Sequence, residues 1–184
     1  MFAKIIGITE PTEEVKNELG IKNGEDIITY CARVSNPSNQ TKFDTGPKLL
    51  KYLINNKHWS PLEMVNVVVE INTTRTIGRQ ILRHRSFHFQ EFSGRYSEMD
   101  IDNLIYSETR LQDNKNRQNS IETDNEDLKN QWELLQKSTA ENAIATYKWA
   151  LTNGIAKELA RNILPEGLTP SRLYMNGTLR DWFH

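Results

Sequence analysis

Strict alternation is clearest where Val65, Val67, Val69 and Ile71 interleave with Asn66, Glu70 and Asn72. A period of two in β-branched residues predicts a half-buried strand over Val65–Thr73. The period then changes. Arg75, Arg79 and Arg83 recur at four-residue spacing, which puts them along one side of a helix over Thr74–Arg83, with Ile77, Ile81 and Leu82 turned away. After Arg85, Phe87 and Phe89 alternate with His88 and Gln90, predicting another extended segment whose rings enter a core. A strand–helix–extended order of this kind delivers the residues after Arg83 to one end of a sheet.

The flanking regions are read in the same way. Phe2–Thr9 predicts an edge strand ended by Pro11, and Gly24–Val34 a helix with the stripe Ile27, Ile28, Cys31 and Val34. Pro47 introduces a short helix over Lys48–Asn55, with Leu49, Leu50 and Leu53 inward. Ser60-Pro61-x-Glu63 has the form of a capping box with proline at the first helical position. Residues 109–127 are rich in Asn, Asp and Gln, with Leu111 and Ile121 as their large apolar residues, and predict a mobile surface excursion. Thr123-x-x-Glu126 is expected to cap a long helix that Gly154 stops, carrying Ala140, Ile144, Tyr147 and Leu151 on one face. Ile155–Leu164 predicts a further helix, closed by Pro165.

Composition narrows the function. The 184 residues fit one domain over 1–184, and a hydrophobic share of 37 % gives a modest core, compatible with a subunit that completes itself in an oligomer. A net charge of −1 makes any basic cluster a local feature, which disfavours duplex DNA binding. The single cysteine, Cys31, excludes an internal disulfide and a cysteine-rich metal site, so no metal is expected and a reducing cytoplasmic setting fits. No apolar run approaches a membrane span, so no membrane partner is expected.

The chemistry concentrates in 83–97, RHRSFHFQEFSGRYS. From Arg75 to Arg95 there are five arginines, no lysine and one acid, Glu91. So many guanidiniums in one stretch call for an anion, and bidentate arginines suit phosphate. The bottom-up reading is a phosphate-binding site with aromatic neighbours. A Ser93 nucleophile is weakly supported, since no base stands beside it. Tyr96 could stack or donate through its hydroxyl. Elsewhere the local readings are plainer. Cys31 is a small buried hydrophobe, Ser35-Asn36-Pro37 and Asn176-Gly177 are turn signals, and His58 is a surface histidine. Arg172, between Ser171 and Leu173-Tyr174, is harder to explain as surface.

The pattern RHR-x7-S with the following GRYS resembles the signature of the flavin-dependent thymidylate synthases. Ala32-Arg33-Val34-Ser35, the His58-x-Ser60-Pro61-x-Glu63 segment and the stretch ARNILPEGLTPSRLYMNGTLRDW resemble other parts of that family. The resemblance implies an α+β subunit, with an antiparallel or mixed sheet flanked by helices, that completes its active site by oligomerisation as a homotetramer with shared sites. It implies reductive methylation of dUMP to dTMP, with methylenetetrahydrofolate as carbon donor, FAD as cofactor and NADPH as reductant, in the cytoplasm or that of an infected host cell. No cysteine nucleophile is required. By resemblance Ser35, His58, Ser60, Arg83, His84, Arg85, Glu91 and Asn176 hold the flavin. Gln80, Arg83, Glu91, Ser93, Gly94, Arg95 and Arg172 bind dUMP. Arg83, His84, Glu91, Ser93, Arg95 and Arg172 form the catalytic set.

The sequence departs from the pattern in two places. Met64 stands where the family often has a histidine, and the family continues a few tens of residues beyond the position of His184, through an A-Q-x-E-type helix. The alternative expectation is therefore a truncated, catalytically impaired flavin- or nucleotide-binding homologue. A third reading, a single-stranded nucleic-acid binder that uses Arg and Phe as a stacking groove, fits poorly with the near-neutral charge.

Overall fold

The computed structural model describes residues 1–183. The chain runs β1 (Phe2–Ile8), α1 (Glu13–Leu19), α2 (Gly24–Ala32), α3 (Gly46–Asn55), β2 (Asn66–Thr74), α4 (Arg75–Ile81) and β3 (His88–Glu91). It continues through β4 (Arg110–Gln112), β5 (Ser120–Glu122), α5 (Glu126–Thr152), α6 (Lys157–Ala160), β6 (Pro170–Thr178) and α7 (Leu179–Phe183). The expected α+β class holds. Four strands form a sheet in the order β1-β2-β6-β3, with β1 at an edge, and β4 and β5 form a separate antiparallel hairpin. Thr9 N donates to Asn66 O at 3.0 Å while Lys4 pairs with Glu70, so β1 and β2 run antiparallel.

The chain divides into two compact units. One holds residues 72–81 and 91–172 with Met1; the other holds residues 2–71, 82–90 and the chain from Leu173. The first is built on a core of Met99, Tyr147, Ala150, Ala160 and Leu164, with Phe92 and Ile101 packed against it. The Tyr147 hydroxyl accepts a bond from Met99 N at 3.0 Å, so the one polar atom of this buried ring is satisfied. The second is built on Ile28, Leu53, Leu62 and Val65, joined by Leu49, Leu50 and Leu179. Thus the apolar stripes expected of α2 and α3 do face a core, although Val34 lies beyond α2 and is exposed.

Several local expectations change. Ser60 does not cap a helix. A 3-10 turn begins at Ser60 itself, with no side-chain cap, and Glu63 instead pairs with Arg180. Helix α5 is capped by Asn125, whose Oδ1 accepts from Leu128 N at 3.0 Å, rather than by Thr123. Gly154 lies just past its end at φ 75, where glycine is the residue best suited to the left-handed region. The helix expected over 155–164 is broken into the short α6 and a 3-10 turn, Arg161–Ile163. Asn176 and Gly177 are not a turn but the interior of β6. A Cβ on Gly177 would come within 2.5 Å of the Phe87 ring, so the glycine serves close packing.

Candidate functional site

In the second unit the chain enters the signature through the turn that follows α4. Arg83 and Arg85 are exposed, and neither makes an ion pair among the described residues. Helix α4 ends at Ile81, so Arg83 is outside the helix that carries Arg75 and Arg79. Beyond them Phe87 organises an aromatic cluster. Its ring meets Trp182 edge-on at 4.7 Å, His84 at 6.3 Å and Phe89 at 6.4 Å. These separations and tilts are those of favourable aromatic pairs. A cavity of about 820 Å³ lies here, lined by Glu63, His84, Phe87, Met175, Arg180 and Trp182 among others. It falls within the range of about 300–1,000 Å³ typical of ligand sites.

The polar groups of this cavity are positioned by the sheet and by α7. Leu179 N donates to Val65 O at 2.9 Å, which fixes the start of α7. Asp181 Oδ2 accepts from Thr178 N at 2.8 Å and from Thr178 Oγ1 at 2.7 Å, locking the turn that presents Arg180 and Trp182. Arg180 is paired with Glu63, so the cation is oriented before any ligand arrives. Asn176 is half-buried, and its Oδ1 is fully buried without a hydrogen-bond partner. A buried acceptor left unpaired costs free energy, but Asn176 is not among the residues that line this cavity. His58 is exposed, follows Lys57 at φ 58, and meets Tyr52 edge-on at 5.9 Å. Ser35 and Ser60 are exposed. Arg33 is committed to structure: its guanidinium donates to the carbonyls of Asn39 and Lys42 and to Thr45 Oγ1. Cys31 therefore has no free cation beside it, and burial pushes its thiol above the usual cysteine range.

The first unit holds the rest of the signature. Glu91 Oε1 accepts from Ser171 Oγ at 2.8 Å, and Phe92 N donates to Arg172 O at 2.9 Å, so β3 and β6 share this end. The chain then turns at Ser93, whose carbonyl accepts from Tyr96 N and Ser97 N. Gly94 is buried, and any Cβ there would overlap Met99 Sδ and approach Arg161 Cδ at 3.2 Å. The glycine thus lets the signature turn lie against Arg161. Arg95 is exposed and pairs with Glu158 at 3.1 Å. Tyr96 is 87 % exposed. Arg172 is exposed and lines a cavity of about 230 Å³ with Asn72, Phe92 and Asp100. Gln80 is exposed on α4.

A further cavity of about 170 Å³ in this unit is lined by Arg75, Arg79, Arg161, Asn162 and Glu166 among others. Its size suits a small anion, or one end of a larger ligand, better than a ring system. Arg79 is paired with Glu166, whereas Arg75 Nη1 is buried with no partner. Lined by three arginines, one of which keeps a buried guanidinium nitrogen unpaired, this cavity is a candidate anion site. Arg161 and Arg180 were absent from the expected site residues. No short-range pattern distinguishes either from an ordinary surface arginine. Arg180 pairs with Glu63 and Arg161 approaches Gly94, both far away in sequence. The expected set also divides: Ser35, His58, Ser60, Arg83, His84, Arg85 and Asn176 fall in one unit, and Gln80, Glu91, Ser93, Gly94, Arg95 and Arg172 in the other.

Residues 19–184 match the family model Thy1, thymidylate synthase complementing protein. The whole chain is 47 % identical to a probable flavin-dependent thymidylate synthase of Paramecium bursaria Chlorella virus 1, covering 82 % of that protein. It is 46 % identical over the same span to the flavin-dependent thymidylate synthase of Synechocystis, again covering 82 % of it. The fold is similar, with a TM-score of 0.77 over 98 % of this chain and 73 % of the other, to a UMP/dUMP methylase, PolB, from Streptomyces cacaoi bound with 5-Br dUMP; the two are 23 % identical. Matches over nearly the full length of the chain place it in the flavin-dependent thymidylate synthase family.

Proposed function

We propose that the chain catalyses the reductive methylation of dUMP to dTMP. The methylene group of methylenetetrahydrofolate becomes the new methyl group, and NADPH supplies the two electrons that this requires. The observation that carries the reading is the group of guanidiniums beside the signature turn. Arg75 Nη1 is buried without a partner, and Arg161 lies against Gly94. In this reading the dUMP phosphate completes that group through Arg95, Arg161 and Arg75, with Gln80, Ser93 and Arg172 as further contacts. Glu91, held by Ser171, is the carboxylate best fixed to orient the nucleotide, because its hydrogen bond restrains its rotamer. Ser93 binds rather than attacks in this reading; its Oγ accepts from Arg95 N at 3.4 Å.

The flavin is proposed to occupy the cavity of the second unit. This cavity combines apolar rings, a preoriented Arg180 and a volume of about 820 Å³. When bound, FAD supplies the hydride chemistry that amino-acid side chains lack. The protein's part is to bind, orient and exclude water. Arg180 and Asn176, with His84, Arg83 and Arg85 from the signature and Ser35, His58 and Ser60 from earlier turns, are the residues proposed to hold the flavin. Subunits are proposed to share these sites in a homotetramer. Phe2, Ile5, Ile6 and Ile8 are exposed along the edge strand β1, as are Leu134, Leu135 and Trp149 on α5, and apolar exposure on this scale suits burial against other copies. The cytoplasm, of the organism or of a host cell, is the proposed setting.

Turnover tests the reading. Incubated with dUMP, methylenetetrahydrofolate, FAD and NADPH, the chain is expected to form dTMP, and Arg95→Ala to lose at least tenfold in kcat/KM. Flavin and dUMP binding without dTMP formation would replace this reading by that of a binding homologue.

A further inference from the structure

Each arginine that faces a small cavity of the first unit through an ion pair is paired with a carboxylate of that same cavity. Arg79 is held by Glu166. Arg95 Nε lies 3.1 Å from Glu158 Oε2, and both line a second cavity of about 420 Å³ with Tyr96 and Lys157. Glu158 sits on α6, three residues before Arg161, and its backbone carbonyl accepts from Arg161 Nε at 3.3 Å. One short segment therefore supplies both a guanidinium for the nucleotide subsite and an anion that occupies the neighbouring one.

We infer that Glu158 is an internal counter-ion, which a phosphate must displace from Arg95, and that it sets the affinity and the charge requirement of the nucleotide subsite. The inference rests on the proposed role of Arg95 as a phosphate ligand. Its physics is a competition between two anions for one guanidinium. The side chains of the pair are 66 % and 48 % exposed, and an ion pair so hydrated is weak and readily exchanged. A phosphate dianion engages the guanidinium fork bidentately and carries more charge than the carboxylate it replaces, so it wins the exchange. A neutral nucleoside has nothing to offer Arg95, and a monoanion gains little over Glu158. The carboxylate released beside the bound phosphate repels it, so affinity is held below what the arginines alone would give. Glu158 acts through Arg95 and is a positioning residue, not a catalytic one.

The test is calorimetric titration of the flavin-loaded full chain with dUMP and, separately, with inorganic phosphate. Glu158→Gln keeps the shape of the side chain and removes its charge. It is expected to tighten both ligands roughly two- to fivefold, the range corresponding to loss of an exposed ion pair. Glu158→Asp, which keeps the charge, is expected to return affinities towards those of the wild type, a rescue that a purely structural role for the chain at 158 would not give. Arg95→Ala is expected to weaken both ligands in either background. Unchanged or weaker binding by Glu158→Gln, with Arg95→Ala still impaired, overturns the counter-ion role and leaves the nucleotide reading intact. If instead Arg95→Ala binds dUMP as the wild type does, the phosphate role of Arg95 falls, and the counter-ion role with it.

Discussion

Cys31 sits half-buried on α2, and burial raises its thiol above the ordinary cysteine range while Arg33 is occupied with the loop over 39–45. A thiolate is therefore disfavoured where a cysteine-based thymidylate synthase would need one. Two outcomes follow at this scale. Cys31→Ala is expected to retain dTMP formation to within about threefold, since conservative changes at half-buried sites away from the chemistry cost little. Alkylation of the native thiol by iodoacetamide should be slower at pH 8.5 than in the urea-unfolded chain. The sign of the pH dependence follows from the raised value: the folded chain holds this proton to higher pH than the unfolded chain does. The stability it contributes is complete below the unfolded thiol's pKa and fades as pH rises through the folded value. Loss of turnover in Cys31→Ala would point to a covalent nucleotide adduct and against a flavin-based route. Gly94 makes the complementary point. Its place in the signature is explained by Met99 and Arg161 pressing on the turn.

At the scale of elements, periodicity located what short-range forces decide and missed what distant contacts decide. Strand β2 falls within one residue of the alternation that announced it, because branched side chains on a half-buried face specify both period and register. Caps proved less readable. Thr123 and Asn125 are both competent N-caps, and the choice depends on which side chain reaches a free amide. Asn125 reaches Leu128 N at 3.0 Å, while Thr123 Oγ1 accepts from Asn125 N at 3.3 Å. Asn125→Ala is expected to lower stability by about 1 kcal/mol and Thr123→Ala by less than about 0.5 kcal/mol. Urea unfolding with an unchanged m-value measures both, and a larger loss for Thr123→Ala would put the helix start two residues earlier. Asn176-Gly177 was ambiguous for another reason. The pair favours turns, but β6 keeps it extended between buried Met175 and the Phe87 ring, which no local rule foresees.

At the scale of the whole molecule, the arginine-rich signature and the α+β class were legible, because one is a local density of charge and the other follows from periods. The partition of the site was not. Residues 80 and 83 lie in different compact units although three positions separate them, and Arg161 meets Gly94 from far along the chain. Such pairings are properties of tertiary structure, so Arg161 emerged as a candidate only through its close approach to Gly94, and Arg75 stood out within the arginine cluster only through its buried unpaired nitrogen. The proposed function requires this chain to bind both a flavin and a nucleotide. The most direct measurement is the visible absorption spectrum of the purified chain after FAD is added and unbound flavin removed, taken again with dUMP. The expected result is a retained flavin band that shifts with dUMP and does not shift in Arg95→Ala. A colourless chain, or a flavin band indifferent to dUMP, would contradict it.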